Sequence, residues 1–179
     1  MGNLIGMKIV LVGYMGSGKS SVGKKLSEVL QIPFLDLDDE IEKIENKSIS
    51  EIFRQKGEIY FRKVENSVLK QLLNKPDNFV LALGGGTPCY GDAMSFIISR
   101  QDVISVYLKT PFELLVNRLF LEKERRPLLS HISSEEALND FIRKHLFERV
   151  YYYNQANYTI ENKDESLNGT VEKVILKLL

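Results

Sequence analysis

The chain has 179 residues, 24 basic against 24 acidic side chains and a single cysteine, Cys89. That length supports one well-buried core without a second domain, and the charge balance argues against nucleic acid or an anionic membrane as the main partner. One cysteine excludes an internal disulfide framework and suits a reducing compartment. The first residues lack the charged and long apolar regions of an export signal, and no apolar run approaches the ~20 residues that span a bilayer. A cytoplasmic protein is expected.

Residues 8–12, Lys-Ile-Val-Leu-Val, read as a buried strand, and Gly13-Tyr14-Met15-Gly16-Ser17-Gly18-Lys19-Ser20 follows it directly. The eight residues fit the phosphate-binding pattern G-x-x-x-x-G-K-[ST] at every fixed position. Val22, Leu26, Val29 and Leu30 then recur at helical spacing, so the loop opens a helix whose N-terminus faces whatever the loop holds. Glycines let backbone N–H groups converge on phosphate oxygens, Lys19 supplies a mobile charge for the β- and γ-phosphates, and Ser20 offers Mg²⁺ a hydroxyl. The expected nucleotide contacts are Gly16, Ser17, Gly18, Lys19, Ser20 and Ser21.

A second short strand spans 32–38 and ends in acid; residues two apart in a strand share a face, so Asp36 and Asp38 should point the same way. Ser48 and Glu51 have the form of a capping box, Gly57 breaks the helix they open, and a further helix runs over 58–73 with Arg62 and Glu65 three residues apart. Asn74-Lys75-Pro76-Asp77 has the form of a guanine-reading N-K-x-D, but it ends a helix, precedes a strand and has no D-x-x-G to accompany it anywhere in the chain. It reads as a turn.

Residues 79–83 form a third strand, followed by Gly84-Gly85-Gly86, where glycines would let backbone approach a small molecule at the C-terminal end of a sheet. That strand lacks the aspartate that usually accompanies a phosphate loop, so Mg²⁺ would be held by Ser20, phosphates and waters, with Asp36 acting through a water. The pattern then predicts a helix at 92–99, a strand at 103–108 and a helix opened by Thr110-Pro111 with the proline at its first position. The helix carries Arg118 and leads into the charged segment holding Arg125 and Arg126, suited to a lid that brings charge over the γ-phosphate. A long helix begins at 133–136 and ends near three tyrosines at 151–153; a last strand at 158–160 and an amphipathic helix at 165–179 close the chain. His131 and His145 have no metal-ligand spacing, and packing is the expected role of Cys89.

The whole is a three-layer α/β sandwich on five parallel strands. Its ordered motifs resemble those of the shikimate kinases over nearly the full chain: G-x-M-G-x-G-K-S at 13–20, D-x-D at 36–38, S-I-x-E-I-F at 48–53, G-E-x-x-F-R-x-x-E at 57–65, G-G-G at 84–86, R-R-P-L-L at 125–129 and R-x-x-x-Y at 149–153. The resemblance implies strand order 2-3-1-4-5, a single domain with a substrate-binding subdomain near 38–62 and a lid near 121–134. It implies ATP-dependent phosphorylation of the shikimate 3-hydroxyl in aromatic amino acid biosynthesis, with Mg²⁺, by a monomer. By the same resemblance Asp38 holds the shikimate hydroxyls, Arg62 and Arg149 grip its carboxylate, Glu65 orients Arg62, and Gly84, Gly85 and Gly86 form a backbone wall. Arg126 reaches the phosphates and Arg118 lies beside adenine. The segment 162–166, where such enzymes contact adenine, offers no distinctive residue. A gluconate-kinase-like enzyme shares the phosphate loop but gives no reason for the other motifs to coincide, and a nucleotide switch would require the missing D-x-x-G.

Overall fold

The computed structural model describes residues 6–123, 129, 131–163 and 166–179. Five strands, β1 (Lys8–Val12), β2 (Phe34–Asp36), β3 (Phe79–Ala82), β4 (Val103–Lys109) and β5 (Tyr158–Glu161), form one parallel sheet in the order β2-β3-β1-β4-β5. Seven α-helices are described: α1 (Lys19–Leu30), α2 (Leu37–Glu45), α3 (Ile49–Leu73), α4 (Ala93–Ser99), α5 (Phe112–Glu122), α6 (Glu135–Tyr153) and α7 (Leu167–Leu178). The strand order implied by the resemblance is the one observed.

Alternation along the strands sorts their side chains into two cores. Ile9, Leu11, Val80, Val106 and Leu108 face the layer that contains Val22 and Leu26 of α1 and Val171 and Val174 of α7. Val10, Val12, Phe79, Leu81 and Tyr107 face the other, built from α2 to α6. β1, between β3 and β4, is buried along its whole length, so the loop that leaves its C-terminal end starts from a fixed point.

Local chemistry accounts for the element ends. The predicted capping box is present: the Ser48 hydroxyl accepts from Glu51 N–H, and the Glu51 carboxylate accepts from Ser48 N–H. Gly57 breaks α3 at φ 78° and ψ 173°, a backbone conformation that L side chains rarely adopt. Asn74 to Asp77 form the expected turn. Pro111 stands one place earlier than expected, at the N-cap of α5. A helix at Leu37–Glu45 replaces the last residues of the predicted second strand, because Asp36 caps it.

Gly23 sets the distance between α1 and the sheet: a Cβ there would lie 2.4 Å from the Phe34 ring. Alanine gains up to ~1 kcal/mol of helix propensity, but overpacking costs about 1–3 kcal/mol. Gly23→Ala is therefore expected to lower the thermal midpoint by a few degrees, and Phe34→Leu in the same chain to recover part of the loss, as differential scanning calorimetry would read.

Candidate active site

The phosphate loop wraps the N-terminus of α1, with Gly18 as N-cap at φ 87°. Lys19 is almost wholly buried; its ammonium donates to the carbonyls of Gly13 at 2.8 Å and Tyr14 at 2.9 Å, which lays it along the loop. Arg118 of α5 donates to the Gly16 carbonyl at 3.1 Å. Gly16, Gly18, Lys19, Ser20, Ser21 and Arg118 all line one cleft of about 550 Å³; Ser17 lies behind it, fully buried. A glycine-rich loop opening a helix N-terminus, with Lys19 and Arg118 in the same lining, gives this cleft the chemistry of a polyphosphate site.

Asp36 and Asp38 reach the cleft in a way that strand alternation did not anticipate. The strand stops at Asp36, whose carboxylate accepts from Asp38 N–H at 3.1 Å as the N-cap of α2, and Asp38 stands in the first helical turn. Both still line the cleft, now from a cap and a helix start. The other oxygen of Asp36 accepts from the Ser20 hydroxyl at 2.9 Å.

A second cleft of about 720 Å³ shares part of its lining with the first; Ile49, Phe53, Phe61, Arg62, Arg149 and the glycines at 84–86 line it. Arg62 donates to Glu65 at 2.9 Å and lies 4.0 Å over the Tyr90 ring; Glu65 is itself buried and accepts from the Thr87 hydroxyl at 2.7 Å. The expected Arg62–Glu65 pairing is thus present, anchored to the turn that follows the glycines. A Cβ at Gly86 would come within 2.8 Å of the Arg62 guanidinium, and one at Gly85 within 3.2 Å of Met15 N, so glycine here permits close approach. Two guanidiniums beside bare backbone, with the Phe53 and Phe61 rings in the same lining, suit a small ring that carries a carboxylate.

Met15, Asp38, Gly84 and Gly85 border both clefts. Burial pushes the Asp38 carboxyl up to about 6, helped by the negative charges of Asp36, Glu65 and Glu42 and opposed by Lys19. A carboxylate with this value, between a polyphosphate cleft and a cleft for a small acid, can accept a proton near neutral pH.

The shikimate kinase family model matches residues 15–179. A shikimate kinase of Flavobacterium johnsoniae is 48% identical over 94% of this chain and 96% of its own length. The chain belongs to the shikimate kinase family. Among solved shikimate kinases, that of Bacteroides thetaiotaomicron superposes with a TM-score of 0.87 at 32% identity over 96% of this chain and 98% of its own. That of Acinetobacter baumannii, solved in complex with shikimate, superposes at 0.83 with 37% identity over 96% and 92%. Shikimate kinases are ATP:shikimate 3-phosphotransferases.

Of the site residues expected of a shikimate kinase, only Arg126 lies outside the described residues, with 124–128 and 130 of the expected lid. Leu129 and Ile132, within the span expected to form a lid, pack into the core. Sequence reasoning missed Asn162 and Thr170, which line the first cleft; both are buried polar side chains bonded to each other, and Asn162 also reaches Ser17, far away in the sequence. It also missed Tyr14, whose ring lies 5.6 Å below the Arg149 guanidinium. No spacing rule reports contacts of this kind.

The raised value of Asp38 has a sign for stability. Between its ordinary 3.8 and about 6 the folded state binds the proton more tightly than the unfolded one, so stability falls as pH rises through that window. Asp38→Asn is expected to raise the thermal midpoint above pH 6 and to change it little near pH 4. The gain is at most about 3 kcal/mol for a shift of about two units. Thermal denaturation of both proteins across that range checks it.

Proposed function

We propose the following division of labour for the family's reaction, transfer of the γ-phosphoryl group of ATP to the shikimate 3-hydroxyl to give shikimate 3-phosphate and ADP. The observation that carries it is the position of Asp38 on the wall shared by the two clefts. ATP lies in the first cleft with its phosphates on the loop N–H groups and on Lys19, and with Arg118 at the nucleotide end. Shikimate lies in the second, its carboxylate on Arg62 and Arg149, its ring against Phe53 and Phe61 and its hydroxyls toward Asp38 and the glycine backbone. Glu65 holds Arg62 in place.

Charge neutralisation and alignment do most of the work, because the phosphoryl group in flight needs little covalent help. Lys19 balances the charge on the β- and γ-oxygens; the resemblance gives Arg126 the same task from the lid. Asp38 orients the hydroxyl and takes its proton late. Ser20 and Asp36, held 2.9 Å apart at the mouth of the loop, are hard oxygen donors that fit Mg²⁺, which takes few protein ligands: Ser20 directly and Asp36 through a water. When bound, the ion would supply further neutralisation of the phosphates. A cytoplasmic monomer is consistent with this reading, and among the described residues no helix is long and apolar enough to cross a membrane.

The deciding assay is ADP release from Mg-ATP with shikimate, gluconate or a nucleoside monophosphate as acceptor. Turnover stimulated by shikimate alone is the expected result; stimulation by another acceptor would discard the roles of Asp38, Arg62 and Arg149. With shikimate as acceptor, kcat/KM should fall about tenfold per pH unit below about 6 as Asp38 takes up a proton, and Asp38→Asn should lower kcat about 10²- to 10⁴-fold and abolish that limb.

The paired arginines give an independent test. Lysine cannot reproduce the planar fork, so Arg62→Lys or Arg149→Lys should raise KM for shikimate about tenfold or more and leave KM for ATP within about threefold. Equal changes in both constants would place the arginines elsewhere in the mechanism.

A further inference from the structure

Asn162 follows β5, and its position is set by three bonds. Its backbone N–H donates to the Lys109 carbonyl at 2.8 Å, which extends the pairing of β4 and β5 by one residue. Its side-chain oxygen accepts from the Thr170 hydroxyl of α7 at 3.2 Å, and its side-chain nitrogen donates to the Ser17 carbonyl at 3.0 Å. A carbonyl can only accept, so the nitrogen must face Ser17 and the oxygen is left for Thr170. Asn162, Thr170 and Ser17 are all buried.

The peptide that Asn162 holds joins Ser17 to Gly18. A trans peptide is planar, so its C=O and N–H point in opposite directions; cis peptides are absent among the described residues. Fixing the Ser17 carbonyl on Asn162 therefore turns the Gly18 N–H away from Asn162. Gly18 is also the residue least able to hold this orientation alone. Its φ of 87° is open to glycine, but glycine populates negative φ as readily, so the 17–18 peptide can flip at little local cost. A group from outside the loop can fix it, and Asn162 Nδ2 is close by, 3.9 Å from where a Cβ on Gly18 would stand.

We propose that Asn162, oriented by Thr170, is a positioning residue that locks the Ser17–Gly18 peptide of the phosphate loop with its N–H directed at the nucleotide phosphates. It touches no reacting atom. The proposal deepens the reading of the first cleft as the ATP site and rests on it. It also gives β5 and α7 a task in that cleft, which they border through Asn162, Leu167 and Thr170.

Two variants test it. Asn162→Asp keeps the shape and the acceptor toward Thr170 but loses the donor toward Ser17; Thr170→Val keeps the packing and releases Asn162. The readouts are Kd for ADP by calorimetry, KM for ATP and for shikimate, and the rate of hydrogen exchange at the Gly18 amide by NMR. Loss of one buried hydrogen bond is expected to weaken ADP binding and raise KM for ATP about tenfold in Asn162→Asp and about threefold in Thr170→Val. KM for shikimate should stay within about twofold, and Gly18 exchange should be faster in both. Unchanged ADP affinity in Thr170→Val would overturn the proposal, even if Asn162→Asp failed to fold. A rise in KM for shikimate equal to that for ATP would do so too. Failure of the wild type to phosphorylate shikimate would sink the acceptor assignment, while the ADP measurements would still decide the role of Asn162.

Discussion

Asp38, a carboxylate ionised at neutral pH yet largely withdrawn from water, stands where the two clefts meet, and the structure around it keeps it there. It lies at the N-terminal end of α2, where the helix dipole favours negative charge, and Lys19 also favours it. Burial and the charges of Asp36, Glu65 and Glu42 oppose ionisation more strongly. The balance leaves a group that accepts a proton more readily than a surface aspartate does. Gly84 supports this balance by its lack of a side chain, since a Cβ there would lie 3.4 Å from the Asp38 carboxylate and 3.3 Å from that of Glu65. Any larger residue would part the two acids or fill the ground between the clefts.

Strand register places that junction. β1 and β3 are parallel neighbours with Leu11 opposite Ala82, and Leu83 N–H donates to the Leu11 carbonyl at 3.1 Å. The phosphate loop and the glycine run therefore leave the sheet side by side, within a residue of each other. β2, on the far side of β3, pairs Asp36 with Ala82 and delivers the start of α2 to the same edge. Three consecutive strands in space thus bring three segments distant in sequence to one place, and the junction of the two clefts follows from the strand order.

Much of this was legible in the sequence because the chemistry is carried by local patterns. The phosphate loop, the capping box at Ser48, the break at Gly57 and the glycine run each depend on residues that neighbour one another, and backbone rules read them. Asp36 and Asp38 share one cleft as strand alternation suggests, but by another geometry: alternation assumes that the strand continues, whereas an aspartate that can cap a helix ends it. Asn162 and Thr170 were illegible for a different reason. Each is an ordinary polar residue whose meaning lies in a partner brought near by the fold, and the Asn162–Ser17 bond spans 145 residues. Tyr14 looked like a free position inside the loop pattern, yet it is buried; its carbonyl holds Lys19 and its hydroxyl lies 3.4 Å from His145 Nδ1.

The helix that contacts Tyr14 also explains the spacing R-x-x-x-Y at 149–153. Residues four apart on a helix share a face, so Arg149 and Tyr153 of α6 look toward the same loop. Arg149 presents its charge to the second cleft, where a Cβ at Gly85 would lie 3.6 Å from its guanidinium. Tyr153, buried and with its hydroxyl pushed well above the ordinary tyrosine range by that burial, stays protonated and donates to the Gly85 carbonyl. One turn of helix therefore sets both the cation that faces the second cleft and the glycine backbone in its lining. Arg149 also lies over the Tyr14 ring, whose own backbone carbonyl receives Lys19. A displacement of α6 would therefore reach both clefts at once.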